Sequence, residues 1–206
     1  MPRSLRLLAV LAAAVPAAVA AGVAAPSASA SNDPLFSRQW GLDQINAPAA
    51  WARGVRGAGA TIAVLDTGVD LTHPDLQGQL VAGVDLVPGA QGTSPQDEQG
   101  HGTHVAGIAA AATDNGTGGA GTAPAAKVMP VRVLDASGSG AAATIVAGIR
   151  YAADHGADVI SMSLGELPIV GQTPALNAEL EAAVAYAWNH GAVIVAAAGN
   201  ESFPLC

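Results

Sequence analysis

The sequence predicts an α/β fold, a doubly wound and mostly parallel sheet with helices on both faces. Three observations carry that expectation. Short apolar runs of strand-forming residues alternate with segments of helical period, the pattern of successive βαβ units. Hydrophobic residues make up 50% of the chain, charged residues 12%, and there are 25 glycines, which describes a tightly turned globular protein and not a disordered one. Gly156 and Gly191 fall where two of the helical segments must stop, as C-terminal glycines do.

Taken in order, strands are expected at Thr61 to Leu65, Val81 to Leu86, Lys127 to Leu134, Asp158 to Ser161 and Ala192 to Ala196. Helices are expected at His101 to Ala112, Ala142 to Asp154 and Ala175 to Asn189. In the last helix Leu176, Leu180, Val184 and Ala187 recur at helical spacing and leave Glu179 and Glu181 outward. Stretches rich in Gly, Ser, Thr and Pro at 88–100 and 113–124 read as loops, and no internal repeat is evident.

Residues 1–30 form a separate unit. Arg3 and Arg6 precede an apolar run, and Ala28-Ser29-Ala30 supplies a small-x-small exit, the pattern of a secretory signal peptide. Residues 31–206 are then an exported, extracellular domain, and none of their segments approaches the roughly 18 apolar residues needed to span a bilayer. No membrane contact is expected after signal cleavage. The formal net charge is −8 and becomes more negative when the two leader arginines leave, which argues against nucleic acid as a partner. Several acids are left as candidate cation ligands. The single cysteine, Cys206, allows no internal disulfide and is expected to pair with a partner thiol in preference to staying free.

Function in an open α/β sheet gathers at the carboxyl ends of the strands. Asp66 closes the first predicted strand there, and His101 opens a helix after Gly100. A carboxylate in that place accepts the imidazole Nδ1 proton, fixes the tautomer and stabilises the imidazolium formed when Nε2 takes a proton. The pair is a base in need of something to deprotonate.

Four other patterns carry less weight. Gly116-Thr117-Gly118-Gly119-Ala120-Gly121 fits G-x-G-x-x-G but follows a helix instead of a strand. His101 and His104 lack the glutamate of a zinc-binding H-E-x-x-H helix, so His104 is expected to be a packed helix residue. Asp66-Thr67-Gly68 has no second copy to share a proton, and Ser163 lacks the preceding glycine of a nucleophile elbow.

Three blocks in order, Asp66-Thr67-Gly68, His101-Gly102-Thr103-His104-Val105-Ala106-Gly107 and Ala197-Ala198-Gly199-Asn200, resemble those of the subtilisin-like serine proteases. Asn32-Asp33-Pro34-Leu35-Phe36-Ser37, Gly121-Thr122-Ala123-Pro124, Val131-Arg132-Val133-Leu134-Asp135 and Ser137-Gly138-Ser139-Gly140 extend the likeness, closest to the thermitase-like branch. The resemblance implies a secreted serine endopeptidase acting on proteins or peptides through an Asp-His-Ser relay, monomeric, with Asp66 and His101 as two relay members and Asn200 as the oxyanion donor. It further implies that Ser163, Leu164 and Gly165, with Gly138, Ser139 and Gly140 opposite, bind the substrate. Calcium is the implied cofactor, held by Asp33, Asp75 and Asn115 with Ala112, Thr117 and Gly119. The loop from Asp85 to His101 adds few acids beyond Asp97 and Glu98 for a second calcium site. The serine block is not met before Cys206, so the likeness covers an N-terminal portion, and this chain alone is expected to be inactive. The expected leader runs almost directly into the region that resembles the enzyme, so no prosegment is expected between them. The alternative is a non-catalytic secreted module that kept the groove to bind calcium and peptides.

Overall fold

The computed structural model describes residues 31–90, 94–165 and 174–200; the leader and Cys206 lie outside them. Five strands form one sheet among these residues: β1 (Thr61–Asp66), β2 (Val84–Asp85), β3 (Lys127–Arg132), β4 (Val159–Met162) and β5 (Val193–Ala196). Every pairing is parallel and the spatial order is β2-β3-β1-β4-β5. The helices are α1 (Trp40–Gln44), α2 (Ala47–Ala52), α3 (His101–Ala110), α4 (Ala142–Asp154) and α5 (Pro174–Asn189).

Alternation along β1 divides the interior into two layers. Ala63 and Leu65 join Met129 and Val131 of β3, Ile160 of β4, Ile149 of α4 and Ala183 and Ala187 of α5 on one face. Val64 and Val128 meet Ala106 and Ala110 of α3 on the other. Helices on both faces thus bury β1 from Ala63 to Asp66, which explains why its sequence reads as an unbroken apolar run. Fully burying a side chain such as Leu65, Ile149 or Ile160 contributes roughly 1.5–3 kcal/mol. The expected glycine stops are present, with Gly156 and Gly191 in the left-handed region at φ +76° and +90°.

The second strand is much shorter than the span Val81 to Leu86. The N–H of Val128 points toward the β2 side of β3, bonding Gln79 O, so two residues on it is Pro130 whose missing N–H falls on that side. Gly83 lies against this gap, where a Cβ would come within 2.0 Å of Pro130 O. The ladder survives only as an isolated bridge at Leu80 and the short pairing of Val84 and Asp85. The third strand ends at Arg132 instead of Leu134, and the first long helix at Ala110 instead of Ala112. Ala111 turns out to ψ 143°, and Ala112 N donates to Asp75 O.

The N-terminal segment holds two short helices that the sequence pattern did not indicate. α1 and α2 pack Leu42, Ala47 and Trp51 on Ala120, and Trp51 Nε1 donates to Thr122 O at 2.9 Å. Gln39 bonds both ways to Ala120, through Nε2 to its O and Oε1 from its N. These contacts bring residues 31–33 against the loop 113–119.

Candidate functional site at the carboxyl edge of the sheet

Asp66 is the last residue of β1 and is fully buried; His101 is the first residue of α3, with its side chain 45% exposed. Their meeting depends on Gly102, at which a Cβ would stand 2.1 Å from Gly68 O and 3.0 Å from Asp66 Cβ. No larger residue allows the helix to approach the strand so closely. His101 Nδ1 is 2.7 Å from Asp66 Oδ1, which also accepts from Thr67 N at 2.8 Å. Because an ionised carboxylate only accepts, the ring proton lies on Nδ1 and Nε2 is left as the acceptor. Among the described residues nothing bonds to Nε2. The second oxygen, Asp66 Oδ2, is buried without a partner.

The acids of the preceding loop are already occupied. Asp97 accepts from Thr67 Oγ1, the backbone N–H groups of Gln99, Gly100 and Thr103, and Thr103 Oγ1. Burial pushes its carboxyl up, but these bonds outweigh it and hold the group below the ordinary aspartate range. Glu98 and Asp85 both accept from Arg132, at 2.5 and 3.0 Å, and Arg132 is the register partner of Asp66 on β3. These ion pairs leave little for a cation. The sequence indicates Asp97 only as one of the few acids for a second calcium site; the signal for its observed place was an acid just ahead of a helix start.

Gly138, Ser139 and Gly140 follow β3, and Ser163, Leu164 and Gly165 follow β4, so the two segments flank the carboxyl end of β1. Asp135 secures the first segment by accepting from Ser137 Oγ and from Ser137 and Ser139 N, bonds that lower its pKa. Asn200 is exposed and lies just beyond β5 on the same edge, after Gly199 at φ +90°. His104 is exposed, which corrects the expectation of a packed residue: its position on α3 points away from the stripe of Gly102, Ala106 and Ala110.

The expected cation ligands converge on one loop. Asp33 accepts from Asp114, Asn115 and Gly116 N and from Ser31 Oγ. Burial raises its pKa and those bonds more than reverse it. Asp75 accepts from Asn115 Nδ2 and Gly119 N, both at 3.0 Å, and its backbone O accepts from Ala112 N. Asn115 Oδ1 accepts from Thr117 N. Gly118 leaves the space that Asp75 fills, since a Cβ there would lie 2.2 Å from Oδ2, and Thr113 Oγ1 is buried with no partner at the start of the loop. Two carboxylates and a side-chain amide thus meet at this loop, the hard oxygen donors that calcium would take. Among the described residues no three His, Cys, Asp or Glu side chains cluster as a metal centre.

A doubly wound parallel sheet with a buried carboxylate bonded to an imidazole at its carboxyl edge defines the class: an α/β protein with an Asp–His pair where such sheets gather their sites. The model of the subtilase family matches residues 57–204, and the chain belongs to that family. Thermitase of Thermoactinomyces vulgaris is 56% identical over 170 residues, covering 82% of this chain and 57% of the relative. The thermophilic serine proteinase of Bacillus sp. (strain AK1) is 49% identical, covering 84% and 41%. Subtilisin Savinase of Lederbergia lenta is 45% identical, covering 78% and 55%. The chain spans about half the length of the curated relatives it matches.

Proposed function

We propose that the protein is a secreted, calcium-binding serine endopeptidase of the subtilase family. The observation that carries this reading is the 2.7 Å bond between His101 Nδ1 and the fully buried Asp66, which leaves Nε2 ready to accept a proton. In the proposed cycle a serine supplied by a longer form of the chain gives its proton to Nε2 as its oxygen attacks the scissile carbonyl carbon. Asp66 stabilises the imidazolium, and Asn200 donates its amide to the oxyanion. His101 then returns the proton to the leaving amine, and water repeats the sequence on the acyl-enzyme. The substrate lies extended between Gly138-Ser139-Gly140 and Ser163-Leu164-Gly165, held through main-chain groups, which admits many sequences. Residues 31–206 alone are inactive on this reading.

Asp33, Asp75 and Asn115, with Ala112, Thr117 and Gly119, would hold calcium and so tie the N-terminal segment to the 113–119 loop. When bound, the ion neutralises the two carboxylates and adds stability to the folded state alone. Export rests on the leader at residues 1–30, and among the described residues no helix is long and apolar enough to cross a membrane. The enzyme acts as an extracellular monomer.

The test is an assay of the complete protein on an unfolded protein substrate, with and without a serine-directed phosphonate, beside the His101→Ala variant. Turnover that the phosphonate and the substitution each abolish is expected. A complete protein that binds peptide without cleaving it would overturn the enzymatic reading.

A further inference from the structure

Asp66 holds His101 by a single oxygen. Its other oxygen is buried and unpartnered, so no second bond from that carboxylate fixes the ring. The geometry of the pair therefore rests on how two backbones are joined, the exit of β1 at Thr67 and the first turn of α3. Gly100, the residue before the helix, provides no side chain to cap that turn.

Asp97 makes the junction. Its Oδ1 accepts from Thr67 Oγ1 at 2.9 Å, Gln99 N at 2.9 Å and Gly100 N at 2.8 Å. Its Oδ2 accepts from Thr103 N at 3.0 Å and Thr103 Oγ1 at 2.5 Å. Thr67 Oγ1 in turn accepts from Gly102 N at 3.0 Å, and Thr103 Oγ1 accepts from Asp70 N at 2.8 Å. Thus one anion gathers donors from the residue after Asp66, from the two residues before His101 and from the second residue after it. A carboxylate suits this place because both of its oxygens only accept, and bonds to an ionised acceptor are the stronger kind.

We propose that Asp97 is a positioning residue which, through Thr67, sets the His101 ring against Asp66. It touches no reacting atom. The kinetic part of this inference rests on the peptidase reading above; the structural part does not.

The experiment uses the complete protein and four forms: wild type, Asp97→Ala, Thr67→Val and Thr67→Ser. Three quantities are read: the proton NMR signal of His101 Nδ1–H, kcat and KM on a peptide, and the melting temperature. Asp97→Ala and Thr67→Val are expected to remove or broaden the Nδ1–H signal and to lower kcat by about 10²-fold, the size of effect a small misplacement of a catalytic group produces. KM stays unchanged. Thr67→Ser keeps the hydroxyl and restores both readouts toward wild type. The double variant Asp97→Ala with Thr67→Val is no worse than either single one, because both cut the same link.

A lowered melting temperature with the Nδ1–H signal and kcat intact would reduce Asp97 to an ordinary helix cap and overturn the proposal. Losses in kcat that multiply in the double variant would overturn it as well. Should Asp97→Ala fail to fold, the contrast between Thr67→Val and Thr67→Ser decides alone, and equal behaviour of those two refutes it. Should the wild type prove to be no peptidase, the NMR signal still tests the positioning role, so the two failures are distinguishable.

Discussion

At β1 the sheet is sealed, with Ala63, Val64 and Leu65 at 0% exposure, Asp66 buried behind them and α3 drawn close through Gly102. At β5 Val193 and Val195 are 49% and 52% exposed, Trp188 on the adjoining α5 is 67% exposed, and Asn200 follows on the surface. Both regions lie on one parallel sheet and both carry a residue assigned to the same reaction. The difference is one of burial: Asp66 lies at 0% exposure beneath α3, whereas the proposed oxyanion donor is exposed and follows a strand whose valines are half exposed.

The largest effect that sharpens this contrast is in catalysis. His101→Ala in the complete enzyme is expected to lower kcat by about 10⁶-fold, a magnitude established for subtilisin and carried over by family. Asn200→Ala is expected to cost about 10² to 10³-fold in kcat with KM unchanged, again on the subtilisin figure, since the amide contacts the oxyanion only once it forms. A rise in KM at constant kcat would make Asn200 a binding or structural residue.

Stability should divide the two regions next. In residues 31–206 Ile160→Ala, beside β1, is expected to cost about 2–5 kcal/mol in denaturant unfolding. Val195→Ala on β5 should stay within about 0.5 kcal/mol. A Val195→Ala loss as large as that at Ile160 would mean β5 is covered and would break the comparison. Removing calcium from the complete protein should lower the melting temperature, and Asp75→Ala should abolish that dependence. An unchanged calcium response would refute the ligand assignment.

The smallest expected effect is on acid stability. Asp33 and Asp97 both have folded pKa values below the ordinary 3.8, so their contribution is fully present above that value and is lost as pH falls through the lower folded values. The denaturant midpoint should therefore drop below about pH 4, and less so in Asp97→Ala, which has already lost the contribution of Asp97. Equal pH profiles for the two proteins would show that Asp97 carries no such linkage.

The sealed region was the more legible one. β1 announced itself as an apolar run ending in an acid, and α3 as a helix opening on His101 with small residues around it. What escaped the sequence depended on distant partners. β2 was overextended because its ladder fails at Pro130, some forty-odd residues away in another strand. α1 and α2 have five and six residues, too few for a helical period to show, and they stand on Trp51 packing and its bond to Thr122. Asp97 reads as one acid in a polar loop until the chain folds back and gives it five donors. The blocks at Asp66 and His101 were readable because their chemistry needs particular residue types in a fixed local setting; Asp97 needs only that three segments meet.

The strand order also bears on the time course of folding. β1 is complete at Asp66, yet its neighbours are β3, beginning at Lys127, and β4, beginning at Val159. At a synthesis rate of about 5–20 residues per second, roughly 3–12 s pass before the first of them exists. Until then Thr61-Ile62-Ala63-Val64-Leu65 is an apolar, strand-forming segment with no local partner, and parallel pairing over such separations is slow. The strand that ends in Asp66 is thus made early and finds its two sides late, which makes the nascent chain most open to aggregation through the very segment that the finished protein buries deepest.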